Sequence, residues 1–262
     1  TTMSLPINIS KTAMKAFQTG MDNIANNIAN VNTNSYKAKN VNFQELLVNN
    51  QTENQKLLFS EGFGDLAIST GVSSNVSGMD LSQGSLVESA GDFHLAISGE
   101  GFFKVNDENG NVLYTRDGAF QLGQDGMVTN SAGNTLAIEQ NLLPTLDLTD
   151  ATLSISDNGE IWVGSKGAAT LAGRIPLFYP ASVDALVPAG ENQYAVAEGT
   201  RMYSSAEGFT LGGIQQNFLE SSNVDLAAAF TDMIVTQRAY SMNLKAAQTS
   251  DEIMGVINGF KR

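Results

Sequence analysis

Few residues in this chain have the type and spacing that reaction chemistry requires. The 262 residues include no cysteine and one histidine, His94. Disulfides, thiolate metal sites and thiol nucleophiles are therefore excluded. A Ser-His-Asp triad would have to use His94, yet no Gly-x-Ser-x-Gly nucleophile elbow is present. We interpret His94 as a structural or surface residue, and we predict no catalytic residue and no bound metal.

Two short motifs resemble ligand-binding loops but are better explained as turns. Residues 99–101 (Gly-Glu-Gly) match half of a dinucleotide fingerprint. They lead into a strand-like segment, so the helix N-terminus that would hold a pyrophosphate is missing. Residues 107–110 begin like a calcium loop and then depart from the EF-hand ligand spacing. We therefore predict no cofactor.

The acidic residues leave one enzyme class open. The chain has 27 Asp and Glu residues, which offer many carboxylate pairs for glycoside hydrolysis. Because spacing singles out no pair, a peptidoglycan hydrolase stays as a remote alternative.

Charge is distributed unevenly around a net value of -13. Residues 1–40 carry +3, residues 220–262 carry -1, and the acidic middle holds the rest. No basic stripe is present, which argues against a nucleic-acid partner. No apolar run reaches the length of about 18 residues that spans a membrane. The first residues also lack the basic and apolar regions of a cleaved signal peptide.

Both ends of the chain have helical periodicity. From Met14 to Val31, apolar residues recur in steps of three and four, which is a narrow seam suited to a partner helix. A second seam runs through residues 225–258, with polar interruptions at Gln237 and Asp251. Neither helix can bury such a stripe alone. The sequence therefore predicts a coiled-coil bundle of the N- and C-terminal helices.

The middle of the chain has the pattern of an antiparallel β domain. Asn-Gly or Asp-Gly pairs at 109–110, 125–126 and 158–159 separate short apolar runs and predict type I′ hairpins. Residues 43–47 have the composition to extend a helix, and residues 49–84 favour an extended connector with little regular structure. We predict an α+β fold divided into residues 1–40, 41–85, 86–219 and 220–262.

Three stretches resemble the bacterial flagellar rod and hook (axial) protein family. Residues 26–37 read Asn-Asn-Ile-Ala-Asn-Val-Asn-Thr-Asn-Ser-Tyr-Lys, which is similar to its N-terminal signature. Residues 97–120 contain Gly-Glu-Gly-Phe-Phe and Tyr-Thr-Arg-Asp-Gly-Ala-Phe, and residues 220–254 are similar to its C-terminal helix. One departure is Ser35, where the family usually has glycine. A left-handed backbone is costlier there.

The resemblance implies a structural subunit and not an enzyme. Length and the single β domain most resemble a distal rod subunit of the basal body, with a proximal rod or short hook subunit as alternatives. The resemblance implies polymerisation into a helical tube that transmits torque and encloses the export channel. It also implies export through the flagellar type III apparatus to the cell envelope. The implied partners are further copies of the chain, neighbouring rod and hook proteins, a rod cap and ring proteins, with no insertion into a membrane.

From the seams and the signature we predict an assembly interface on both helices. Its members are apolar seam residues together with two asparagines of the signature. They are Phe17, Met21, Ile24, Asn27, Ile28, Asn30 and Val31 on the first helix, and Phe230, Met233, Ile234, Tyr240 and Leu244 on the last.

Overall fold

A computed structural model describes residues 5–48, 68–123, 125–140, 142–145, 152–165 and 168–260. The chain divides into two compact units. The helical unit comprises residues 1–29, 39–79 and 225–262, and the β unit comprises residues 30–38 and 80–224. This division differs from the predicted segments, because residues 30–38 and 80–85 pack with the β unit, whereas residues 39–48 and 68–79 pack with the helices.

The helical unit is built from two antiparallel helices and a β ribbon. Its elements are α1 (Leu5–Ala29), α2 (Leu226–Gly259), β1 (Lys39–Val48) and β2 (Ile68–Met79). Asn243 donates from Nδ2 to the Ser10 carbonyl at 2.8 Å. Near the other end, the Asn223 N–H donates to the Tyr36 carbonyl at 3.3 Å, between the segments that follow α1 and precede α2. These two bonds make the helices antiparallel, and both predicted terminal helices are present.

Polar side chains mark the end of α1 and the start of α2. Asp225 is the N-cap of α2, and its Oδ1 accepts from the N–H groups of Ala227 and Ala228 at 2.9 and 3.1 Å. After α1, Thr33 donates its N–H to the Asn30 carbonyl and its hydroxyl to Asn30 Oδ1, both at 3.1 Å. Side-chain bonds of this kind compete with a further helical turn.

Two expectations for residues 40–85 are wrong. Residues 43–47 lie in β1 and not in a helix, and residues 68–79 form β2 instead of irregular chain. The two strands pair antiparallel from Lys39 opposite Met79 to Val48 opposite Ile68. Strand pairing overrides local composition here, since each strand supplies the other's hydrogen bonds. Residues 49–67 of the predicted connector lie outside the described residues.

The β unit confirms the predicted antiparallel domain. Its strands are β3 (Leu86–Glu88), β4 (Leu95–Ser98), β5 (Phe102–Asn106), β6 (Val112–Thr115), β7 (Gln121–Leu122), β8 (Val128–Thr129), β9 (Thr135–Leu136), β10 (Thr152–Ile155), β11 (Glu160–Ser165), β12 (Ala168–Arg174), β13 (Leu177–Pro180), β14 (Leu186–Gly190), β15 (Gln193–Val196), β16 (Met202–Ser204), β17 (Gly213–Gln216) and β18 (Phe218–Glu220).

Strand pairing organises these short segments around one core. The largest sheet runs β14-β15-β6-β5-β9-β8-β7, and β13 pairs with both β5 and β16. A three-stranded sheet has the order β10-β11-β12, and β4 pairs with β17 and β3 with β18. The apolar core lies between these sheets. In it Phe103 and Phe120 are in edge-to-face contact, with their ring centroids 5.4 Å apart. Leu95, Ile97 and Ile161 are fully buried within it.

The predicted hairpins form, but their turn type differs from the prediction. Type I′ needs positive φ at both central residues, and here only the glycines have it, with Gly110 at 83° and Gly159 at 82°. In the first turn, the Gly110 N–H donates to the Asp107 carbonyl and the Asp107 N–H to the Asn111 carbonyl, both at 3.0 Å. This is a type I turn followed by a left-handed glycine. The Asp107 carboxylate favours it by accepting from the N–H groups of Asn109 and Asn111.

We expect two glycines of equal φ to differ in their tolerance of alanine. At Gly110 nothing lies within 4 Å of an added Cβ, so Gly110→Ala should cost only the left-handed penalty of about 1–2 kcal/mol. At Gly159 the Cβ would lie 2.2 Å from the Ile175 carbonyl oxygen. Gly159→Ala should therefore lower the free energy of unfolding by more than about 3 kcal/mol. Urea unfolding of both variants is the measurement, and equal losses would contradict the crowding argument.

Candidate functional site

One buried carboxylate binds two cations in the β unit. Glu220 Oε1 lies 2.6 Å from Lys37 Nζ, and Glu220 Oε2 lies 3.0 Å from Arg116 Nε. The side chains of Lys37 and Glu220 are 0% exposed and that of Arg116 is 3% exposed. We call these three residues the ion centre. It holds a net charge of +1 out of contact with water.

Backbone groups complete the shell around each charge. Lys37 Nζ donates to the Ser82 carbonyl at 2.7 Å, and the Gly84 N–H donates to Glu220 Oε1 at 2.9 Å. Arg116 donates from Nη1 to the Gly101 carbonyl at 3.1 Å and from Nη2 to the Gly99 carbonyl at 2.9 Å. The Gly-Glu-Gly motif, which lacks the features of a nucleotide-binding loop, thus binds the Arg116 guanidinium through two carbonyl groups. Buried charges are tolerated when they are paired and hydrogen-bonded in this way.

The ion centre joins segments that are far apart along the chain. Lys37 follows α1 and belongs to the segment 30–38, Arg116 follows β6, and Glu220 ends β18. Lys37 and Glu220 are 183 residues apart, and Arg116 and Glu220 are 104 apart. The chain leaving α1 and the chain approaching α2 are therefore fixed together inside the β unit.

Ser35 sits beside the ion centre in the left-handed region, with φ 54°. Its N–H donates to the Glu220 carbonyl and its hydroxyl donates to the Arg116 carbonyl, both at 2.8 Å. The hydroxyl bond offsets part of the cost of a left-handed serine, because a glycine would lack it. Ser35 stands where the family usually has glycine, and it is a strained residue that contacts two members of the ion centre.

A second polar contact supports the same junction. Asn223 Oδ1 accepts from the Ala38 N–H at 2.8 Å, and Asn223 Nδ2 donates to the carbonyls of Asp80 and Ser82 at 2.8 and 3.1 Å. One side chain thereby ties residues 38, 80, 82 and 223 together. This network and the ion centre explain why residues 30–38 and 80–85 belong to the β unit.

The surroundings shift the pKa values of both Lys37 and Glu220. Burial alone would raise the pKa of Glu220, but the Arg116 charge and the hydrogen bond from Lys37 outweigh it and hold that pKa below its ordinary value. Burial lowers the pKa of the Lys37 ammonium, against the opposing effect of Glu220. At neutral pH the ion centre therefore depends on an ionised Glu220.

Most of the predicted assembly residues are half-buried. On the helices these are Phe17, Met21, Ile24, Asn27, Ile28, Met233, Tyr240 and Leu244, whereas Phe230 and Ile234 are exposed. Asn30 and Val31 are also half-buried, but they follow the end of α1 and belong to the β unit, so their predicted place on the first helix is wrong. Asn27 has a defined local role, because its side chain accepts from the N–H of Lys39 and donates to its carbonyl, both at 3.0 Å. The assembly role itself stays a prediction.

The most buried face of the helix pair is made of smaller residues than the predicted seam. On α1 it consists of Ser10, Ala13, Ala16 and Gly20, and on α2 it includes Ala229 and Thr236. Small side chains let two helices approach closely. Sequence reasoning passed over this face because it weighed apolar size, although Ala13, Ala16 and Gly20 keep the helical spacing of three and four.

The ion centre was also missed, although its residues lie inside the three resembling stretches. A charged residue next to apolar ones was the available signal, as in Glu220, which directly follows Phe218 and Leu219. His94 is half-buried, with its Nδ1 2.6 Å from Ser89 Oγ. Among the described residues, no group of three or more His, Cys, Asp or Glu is placed to hold a metal. No helix in the described ranges is long and apolar enough to cross a membrane.

Family models match the chain in three places, and each match contains one member of the ion centre. The flagella basal body rod protein model matches residues 7–37, the flagellar hook protein FlgE/F/G D1 domain matches 96–163, and the flagellar basal body rod FlgEFG protein C-terminal model matches 215–260. These matches include Lys37, Arg116 and Glu220, respectively.

Whole-chain relatives give the same result. The flagellar basal-body rod protein FlgG of Agrobacterium fabrum is 32% identical over 95% of this chain and 97% of its own length. FlgG of Bacillus subtilis is 34% identical over 95% of this chain and 96% of its own length. The flagellar basal-body rod protein FlgF of Caulobacter vibrioides is 32% identical over 89% of this chain and 88% of its own length.

The chain belongs to the flagellar basal-body rod protein family, which is a family of structural proteins and not of enzymes. Within that family it is FlgG-like, a structural subunit of the distal rod of the flagellar basal body. It assembles there with neighbouring flagellar proteins.

We expect Glu220→Gln to destabilise the β unit more than any other single change at the ion centre. It leaves two buried cations without a counter-charge, and a broken buried pair costs about 3–5 kcal/mol. Lys37→Met is the matched control, because the ion pair of Arg116 and Glu220, which has no net charge, survives. The free energy of unfolding should fall by only about 1–2 kcal/mol. Urea unfolding measures both, and a larger loss in Lys37→Met would contradict this account.

The ion centre should also make the β unit sensitive to acid. Because the folded-state pKa of Glu220 is lower than its ordinary value of about 4.3, its contribution is fully present above that value. The contribution is lost as the pH falls through the lowered pKa. Urea unfolding between about pH 6 and pH 3 should show a steeper loss in the unaltered chain than in Glu220→Gln. Parallel curves would argue against an ionised Glu220.

Proposed function

We propose that copies of this chain polymerise into a helical tube through the helical unit. The tube encloses the export channel and transmits torque along the rod. The observation that carries this proposal is the exposed apolar surface of α2. Phe230, Ile234, Val235 and Met242 are each more than half exposed although α1 covers the opposite side of the helix. Apolar patches of this kind usually mark an interaction surface.

The residue spacing on α2 supports a coiled coil formed by α1 and α2. Its half-buried and buried residues recur at 229, 233, 236, 240, 243 and 247, in steps of four and three. Such a seam faces one partner helix. Met233, Tyr240 and Leu244 fit contacts within one subunit, whereas Phe230 and Ile234 fit contacts between subunits.

An interface between α1–α2 pairs of different copies would use unlike surfaces of the two partners. Heterologous contacts that do not close into a ring generate open helical filaments. Many copies of one such contact supply stiffness without great strength in each. This is the property that a torque-transmitting rod requires.

The further partners follow from the position of the family in the flagellum. We propose export through the flagellar type III apparatus into the periplasm without a cleaved signal, and contacts with neighbouring rod and hook proteins, a rod cap and ring proteins. The acidic β unit and the absence of cysteine are compatible with passage through that apparatus.

We expect Ile234→Asp to block polymerisation while the β unit stays folded. It places a charge in the exposed apolar surface of α2 without touching the β-unit core. Ser131→Asp, at an exposed turn of the β unit, is the charge-matched control and should polymerise normally. Sedimentation and electron microscopy report polymers, and urea unfolding reports the β unit. Unchanged polymerisation of Ile234→Asp would refute the proposed surface.

A further inference from the structure

The exposed side of α2 carries a regular pattern of charged and apolar residues. Arg238, Lys245 and Glu252 follow one another at intervals of seven residues and are all exposed. Seven residues are nearly two helical turns, so the three charges lie in one row along the helix. The groove between them and their neighbours is lined by Ile234, Gln237, Arg238, Ser241, Met242 and Lys245.

The C-terminal part of this row lies beyond the described part of α1. Asn243 is opposite Ser10, and the helices are antiparallel, so Leu5 is opposite about residue 248. The last turns of α2 therefore extend past the first described residue of α1. Ile253 and Val256 are each more than half exposed there, beside the Glu252 carboxylate. We call residues 251–259 the α2 tail.

We propose that the α2 tail of one copy packs against the α2 groove of a second copy, with the two helices parallel and staggered by 14 residues. This inference rests on the proposed function and specifies its contact. The stagger places Glu252 of one copy opposite Arg238 of the next and Val256 opposite Met242. It corresponds to an axial shift of about 21 Å.

Charge selects this alignment over the other parallel ones. A stagger of seven residues would pair Glu252 with Lys245 but would place Lys245 opposite Arg238. Parallel helices without a stagger would oppose every charge in the row to itself. Like charges at such positions are unfavourable, and complementary ones set partner and register.

Polarity selects this alignment over the antiparallel ones. An antiparallel pair can match Glu252 with Lys245 without opposing like charges. Such a pair joins the same surface of both copies and closes as a dimer, so it cannot extend the proposed polymer.

The staggered contact is heterologous, because it joins the tail of one copy to the groove of another. Each copy then offers a free groove at one end and a free tail at the other. Such a contact continues without closing and has the polarity that growth at one tip requires.

Charge exchange tests the stagger. Glu252→Lys alone and Arg238→Glu alone should each raise the concentration needed for polymerisation by at least about tenfold. The double variant Arg238→Glu with Glu252→Lys, and a 1:1 mixture of the two single variants, should both return to within about twofold of the unaltered chain. Asp232→Lys is the matched control, because it reverses an exposed charge of the same helix that lies outside both the row and the groove lining, and this reversal should have little effect.

The outcomes separate this inference from the proposed function. Polymerisation of the unaltered chain without rescue in the double variant overturns the stagger alone. A loss in Asp232→Lys as large as in the two row variants equally overturns it, because the effect would then reflect charge in general and not the register. If the unaltered chain forms no polymer at any concentration or ionic strength, the proposed function falls and the contact falls with it.

Cross-linking supplies a second measurement that does not depend on charge. Because the chain has no cysteine, Met242→Cys with Val256→Cys introduces the only two thiols. Oxidation of the polymer should yield a ladder of disulfide-linked chains, since the two positions of neighbouring copies are opposite each other. Val235→Cys with Val256→Cys is the control pair and should give none. Equal ladders from both pairs would overturn the alignment.

Discussion

The β unit depends on one carboxylate that is shared by two buried cations. Lys37 and Arg116 cannot be buried without Glu220, because an unpaired charge costs several kcal/mol away from water. Their pairing requires the segment after α1, the hairpin strand β6 and the end of β18 to meet. The ion centre thus converts three distant stretches of sequence into one junction. It also fixes the chain that leaves α1 beside the chain that enters α2.

A strained residue shows how tightly this junction is determined. Ser35 adopts a left-handed backbone, which a serine takes only when its surroundings compensate. Its N–H and hydroxyl both bond to members of the ion centre. The three family matches each contain one residue of the same centre.

The helical unit follows a different principle. α1 packs against α2, and large apolar residues of α2 stay exposed. Exposed apolar residues of this kind usually mark an interaction surface, which is why the proposed contacts between copies lie on α2.

Periodicity and turn residues in the sequence alone determined the two terminal helices, the antiparallel β domain and its glycine turns, because these depend on local spacing. The resembling stretches determined the family. Only the tertiary structure decided the ion centre, since Lys37 and Glu220 are 183 residues apart and no local pattern joins them. It also decided that residues 68–79 form a strand and that Ala13, Ala16 and Gly20 make the buried helix face. Strand pairing and helix register are long-range choices, in which the partner and not the local sequence supplies the free energy.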